Sequence, residues 1–197
     1  MTPQQQADKI NAFIANWDEL VSDTFMVATD GLYTNIKNRI FNEHLDANEQ
    51  KIGTYSTKPI LIGAKSFTNK GKADAFFKAV KAKKEEPSKW RTVKNGKHAY
   101  ILDGGYKELR QVTGLKEINE VNFQFTGSFQ LRGMETAVSG DNYLIRFTDR
   151  LAQDKGRGYE KKHAKKIFYA SKDESKQTAT YIGKTLFKEI KKAFGNV

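Results

Sequence analysis

The chain has 197 residues, no cysteine, 38% apolar and 29% charged residues, and a formal net charge of +11. That length fits one domain with a modest core of its own, and the lack of cysteine excludes disulfides and thiolate metal sites. No apolar run approaches the ~20 residues needed to span a bilayer, and the opening MTPQQQADKI has no secretory h-region, so a soluble protein made in a cytoplasm is expected, with no membrane partner.

The first element is an N-terminal helix. Thr2-Pro3 supplies a hydroxyl cap and a proline at the first helical position. Ile10, Phe13, Ile14, Trp17, Leu20, Met26, Leu32, Tyr33, Ile36, Ile40 and Phe41 then keep helical spacing through most of 4–44. Thr24, Thr29, Asp30 and Gly31 weaken the middle, so a kink or break is expected near 22–31. A helix of this length outreaches a small domain, and a neighbouring copy is the simplest partner for the overhang.

Residues 44–59 are turn-rich, and Pro59-Ile60-Leu61-Ile62 reads as a short strand with proline at its entrance. Asp46, Asn48 and Gln50 imitate the start of a calcium loop, but Lys51 stands where glycine is required and Thr57 where a bidentate glutamate is required.

Residues 64–99 carry 11 Lys/Arg against 3 Asp/Glu. This reads as an extended basic arm, with a short helix over Ala75–Lys84 and turn punctuation at Trp90 and Asn95-Gly96. Lys81, Lys83, Lys84, Lys89, Trp90, Arg91 and Lys94 are its candidate contacts to a partner or to DNA.

Tyr100-Ile101-Leu102 resumes the sheet. Gly104-Gly105 turns the chain into a helix over Tyr106–Val112, capped by Gly114. Val121, Phe123 and Phe125 alternate with polar residues as a half-buried strand ending in Thr126-Gly127. Strands over about Phe129–Val138 and Asn142–Thr148 form a hairpin through Ser139-Gly140-Asp141. A helical run interrupted by Gly156 and Gly158 follows, then a strand over Lys166–Ala170. Ser171 or Asp173 caps a C-terminal helix with apolar residues at Tyr181, Ile182, Leu186, Ile190 and Phe194. Residues 155–197 form a second basic block, 12 Lys/Arg against 4 Asp/Glu. The fold class is α+β: a long N-terminal helix on a small, mostly antiparallel sheet, with a basic insertion arm and a C-terminal helix.

Catalytic signatures are sparse. His44, His98 and His163 are isolated from one another in sequence, and no cofactor motif occurs. Glu160-Lys161-Lys162 has the E-x-K order of some metal-dependent nucleases, but in a charged, helix-like run rather than on a buried strand beside a second carboxylate. Trp90-Arg91 and Tyr159 near Lys161-Lys162 suit nucleic-acid stacking and phosphate contact. An aromatic anchor in a subunit groove is the preferred reading of Trp90. No catalytic residue, metal or cofactor is assigned.

Three stretches in order carry a resemblance: I-x-x-R-I-F-N-E-x-L-D-A-N-x-x-K-I-G-x-Y-S at Ile36–Ser56, G-G-Y-x-x-x-R-x-x-x-G at Gly104–Gly114, and V-N-F-x-F-T-G-x-F at Val121–Phe129. Over this half of the chain the protein resembles the tail-completion or neck proteins of tailed bacteriophages, of the type seen in crAss-like phages and other phages of Bacteroidetes. The resemblance implies a non-enzymatic ring, with twelve copies favoured, that joins portal to tail and seals the DNA channel. Its partners would be further copies, the portal, adjacent neck or tail proteins and packaged DNA, at the head–tail interface of the virion. It further implies a scaffolding hub at Gly104, Gly105, Tyr106, Arg110, Thr126 and Gly127. Glu43-His44-Leu45-Asp46 and Asn48-Glu49 stand where that family has glycine-containing turns, so a different turn geometry is expected here. A free DNA-binding protein using the two basic blocks is the alternative from another class.

Overall fold

A computed structural model of the protein describes residues 2–63, 71, 74, 75, 78, 90–93, 97–112, 121, 129, 132–140 and 142–195. Among these the fold is α+β, with five helices and two antiparallel sheets. The chain divides into two compact units, Met1–Ile52 with Asn122–Val197, and Gly53–Val121.

The first unit opens with α1 (Pro3–Ala15), which begins in a complete capping box. Thr2 accepts from the Gln5 N–H, and the Gln5 side chain accepts from the Thr2 N–H. The chain breaks at Asn16 and continues as α2 (Trp17–Phe41). The break therefore falls earlier than the expected 22–31. Thr24 and Thr29 stay within the helix, and their hydroxyls donate to the carbonyls of Leu20 and Phe25 at 2.7 and 2.8 Å.

Against α2 lies a hairpin, β4 (Met134–Ser139) paired with β5 (Asn142–Phe147), whose register runs from Met134↔Phe147 to Ser139↔Asn142. The first strand starts at Met134, not Phe129, which is itself helical. Tyr33 Oη donates to the Met134 carbonyl at 2.6 Å, and Phe25 stacks on Tyr143 with ring centroids 6.0 Å apart.

Residues Arg150–His163 form α4, capped by Asp149, whose carboxylate accepts from the Ala152 N–H at 2.7 Å. Gly156 does not interrupt this helix. A Cβ there would sit 2.4 Å from Phe147 Cζ, so the glycine admits the ring of the hairpin's last residue. That ring belongs to an aromatic core in which Phe129 meets Phe41, Phe147, Tyr159 and Phe168 at centroid distances of 5.6–6.4 Å.

Residues 166–170 do not return as a strand. They form a loop whose N–H groups are satisfied by a side chain: Ile167 and Phe168 both donate to Glu160 Oε1, at 2.8 and 3.1 Å. Ile167 is fully buried. The last helix, α5 (Lys172–Phe194), starts in a second capping box formed by Ser171 and Glu174.

The second unit holds a three-stranded antiparallel sheet in the order β1 (Ile60–Gly63), β3 (Lys97–Leu102), β2 (Trp90–Val93), followed by α3 (Gly105–Val112). Part of the expected arm is therefore sheet. Trp90 and Arg91 are strand residues opposite Tyr100 and Ala99, not a turn, because 90–93 folds back on 97–100. Gly71, Asp74, Ala75 and Lys78 are helical; the rest of the proposed 75–84 helix lies outside the described residues, as do Gly114 and the strand expected at 122–128.

Candidate functional site

In the second unit the Gly104–Arg110 stretch does bring its residues together. Gly105 adopts φ +63, and a Cβ there would lie 2.4 Å from the Lys58 carbonyl oxygen and 2.6 Å from that of Ser56. Only glycine permits this close passage of two backbones. The next residue fastens it, since the Tyr106 N–H donates to the Ser56 carbonyl at 2.9 Å. The Gly104 N–H donates to Glu108 Oε2 at 2.7 Å, closing the start of α3. One helical turn on, buried Arg110 lies over the Tyr55 ring, 4.8 Å from its centroid, and donates to its hydroxyl at 3.2 Å. The Tyr106 side chain is exposed.

Among the described residues this hub is built of glycine clearance and stacking. Thr126 and Gly127, the other two expected hub residues, lie outside the described residues, as do Lys81, Lys83, Lys84, Lys89 and Lys94. Trp90 and Arg91 are placed by their backbone in β2.

The first unit has a second hub that sequence reasoning missed. Arg39, near the end of α2, is 4% exposed and pairs with Glu174 at 2.9 Å. Its remaining donors reach the carbonyls of Leu45 and Tyr169, at 3.1 and 2.6 Å, and that of Ile167 at 3.5 Å. Glu174 meanwhile accepts from the Ser171 N–H at 2.6 Å. One arginine thus ties the end of α2, the 42–51 turn, the 164–171 loop and the start of α5 into one polar knot. The only hint in sequence was the S-x-x-E capping box at Ser171–Glu174, which does not announce a second use for the glutamate.

Asp46, set aside above as a calcium ligand, has a structural role. It is 1% exposed, accepts from the Asn48 and Gln50 N–H groups at 2.8 and 3.0 Å, and lies 3.2 Å from the Lys165 ammonium. Burial opposes ionisation of this carboxyl, but the two backbone N–H groups and Lys165 outweigh it and hold its pKa below 3.8. A carboxyl with a lowered folded pKa stabilises the fold above 3.8, and that contribution is lost as pH falls through the folded value. Asp46→Asn should therefore cost about 1–3 kcal/mol at neutral pH. Urea-unfolding curves of the two proteins should converge as the pH is taken below 3.8; a gap independent of pH would refute this role for the charge.

The turn around Asp46 uses left-handed backbone at two non-glycine positions. His44 and Glu49 sit at φ 63 and 62 without glycine. The Ile52 N–H donates to the His44 carbonyl at 2.9 Å, and the Asp46 N–H to that of Gln50 at 2.8 Å. These bonds offset a strain of about 1–2 kcal/mol per left-handed residue.

An uncovered apolar surface completes the candidate sites. No residue of α1 is buried. Phe13 touches Trp17 and Phe194 with centroids 5.3 and 5.4 Å apart. These rings, with Ile14, Asp18 and Ile190, line an open groove of about 450 Å³. Ile14 is 63% exposed in it. Among the described residues no group of three His, Asp or Glu side chains could hold a metal ion, and no helix is long and apolar enough to cross a membrane.

Comparison with protein-family models, with curated proteins and with solved structures finds no match for this chain.

Proposed function

We propose that the protein is a structural assembly subunit that packs with copies of itself, in the role the resemblance implies: a ring of the phage head–tail connector between portal and tail. The observation that carries this reading is the groove along α1. A helix of 13 residues with no buried side chain is marginal on its own. Phe13 and Ile14 of α1 nonetheless line an open, mostly apolar groove together with Trp17 at the start of α2 and Ile190 and Phe194 at the end of α5. Such a groove is covered in most soluble assemblies, and an aromatic cluster is the usual anchor of an interface. Unequal charge also favours copies meeting, since residues 1–63 carry 5 Lys/Arg against 8 Asp/Glu while 155–197 carry 12 against 4.

The test is native mass spectrometry of the full chain across a concentration series, alone and with the portal complex. Self-association or joining to the portal is expected, and Ile14→Asp should abolish it while shifting unfolding stability by no more than about 0.5 kcal/mol, as befits an exposed position. A wild-type chain that stays monomeric throughout and ignores the portal would overturn the proposal. The competing reading, a free DNA-binding protein, draws on the net charge of +11 and predicts monomer affinity for DNA that falls steeply with salt.

A further inference from the structure

The outward face of α5 is basic and aromatic at once. Lys176, Tyr181, Lys184, Phe187, Lys188 and Lys191 are all exposed. At 3.6 residues per turn these six positions share an arc of about 140°, spread over roughly 22 Å of helix axis. Lys176, Lys184 and Lys188 have no carboxylate partner among the described residues, and Lys191 lies over the Phe187 ring at 4.8 Å. Glu189 falls outside this arc and is engaged by Lys192. Asp173 is the one acid on the stripe, at its N-terminal end, where it favours the start of the helix. Lys176, Tyr181 and Lys184, with Asp173, Gln177 and Thr180, line a shallow depression of about 510 Å³.

A lysine face that only keeps the protein soluble has no use for exposed rings, yet Phe187 is 56% and Tyr181 43% exposed. Cations alternating with exposed aromatic rings are what a polyanion carrying flat bases requires: ammonium groups track the phosphates while rings stack on the bases, and the Phe187 face away from Lys191 is the one left for a base. Rings standing on a rigid helix cannot reach bases stacked inside a duplex, so unpaired bases fit this face better. We infer that the exposed face of α5 binds single-stranded nucleic acid, with the lysines on the phosphates and Phe187 and Tyr181 as stacking platforms. This rests on the nucleic-acid reading of the basic blocks and narrows it to one face and one form of the ligand. It does not depend on ring assembly.

The experiment is fluorescence anisotropy of the full-length protein with labelled oligothymidylate, with a duplex of equal charge, and with polyglutamate as competitor, each over a series of salt concentrations. Phe187→Ala should weaken single-strand binding about tenfold and leave the salt dependence unchanged, since the ring carries no charge. The triple variant Lys184→Gln, Lys188→Gln, Lys191→Gln should lower the slope of log K against log salt by about 2, at roughly 0.7 per released counterion on a single strand. All four positions are exposed, and circular dichroism melts should show the variants folded like the parent. Equal affinity for duplex, with no effect of Phe187→Ala, would overturn the single-strand assignment while leaving general DNA binding intact. An unchanged salt slope in the triple variant, or displacement by polyglutamate as effective as by oligothymidylate, would overturn the α5 site altogether.

Discussion

Glu174→Ala should lower the stability of the protein by about 3–5 kcal/mol, the range for removing one partner of a buried ion pair. The side chains of Arg39 and Glu174 are 5% and 9% exposed. With the carboxylate gone, the guanidinium stays buried with carbonyl partners alone, and α5 loses the acceptor for its Ser171 N–H. Arg39→Met should be at least as costly, because the carbonyls of Leu45 and Tyr169 then lose their donor as well. The double variant should cost less than the sum of the two, since each single change already strands the same partner. Urea unfolding followed by circular dichroism measures all three. A loss below about 1 kcal/mol for Glu174→Ala would place the pair among ordinary surface bridges and refute the knot. Against a typical total of about 5–15 kcal/mol, the expected loss is a large share of what holds a domain together.

Gly105→Ala should cost about 3 kcal/mol or more, from two sources. A non-glycine residue in the left-handed region costs about 1–2 kcal/mol, and pushing two backbone strands apart adds the penalty of overpacking, about 1–3 kcal/mol. The new methyl would meet the carbonyl oxygens of Lys58 and Ser56 at 2.4 and 2.6 Å, and neither can swing aside as a side chain could. Gly140 supplies the control. It has φ +57 in the β4–β5 hairpin but open space around it, so Gly140→Ala should show the conformational cost alone. Equal losses in the two variants would mean that the Gly105 contact carries no steric weight.

Much of the secondary structure was legible because its signals are local. Thr2-Pro3 announces one helix start and the choice of Ser171 or Asp173 another, which the structure decides for Ser171, since a cap needs only residues within one turn. Ser139-Gly140 announces a hairpin because its left-handed turn admits few residue types. Local signals mislead mainly where a distant partner decides. Trp90 carries no local mark of its strand, because its pairing with Tyr100 depends on a fold-back that single residues do not reveal. The short run Lys166–Ala170 suits a strand, yet the Glu160 carboxylate satisfies the Ile167 and Phe168 N–H groups in place of a neighbouring strand. The kink or break expected near 22–31 from Thr24, Thr29, Asp30 and Gly31 is a local difference: the helix runs through them, and the two threonine hydroxyls bond to carbonyls one turn back.

In the Gly104–Arg110 stretch, the turn into a helix was legible because paired glycines before a helix betray a backbone constraint, whereas the stacking of Arg110 on Tyr55 was not. The Arg39–Glu174 knot was not, because 135 residues separate its partners and either could have stood on a solvated helix face.

By itself, then, the sequence determined the α+β class, the helix starts, the basic blocks and the Gly104-Gly105 turn into a helix, all of which rest on short-range sterics, hydrogen bonding and net charge. Only the tertiary structure decided which charges are buried and which remain open to a ligand. Arg39, Asp46 and Glu174 are enclosed by packing against segments far away in sequence, while the α5 lysines and Phe187 face solvent because the opposite side of that helix packs on α2.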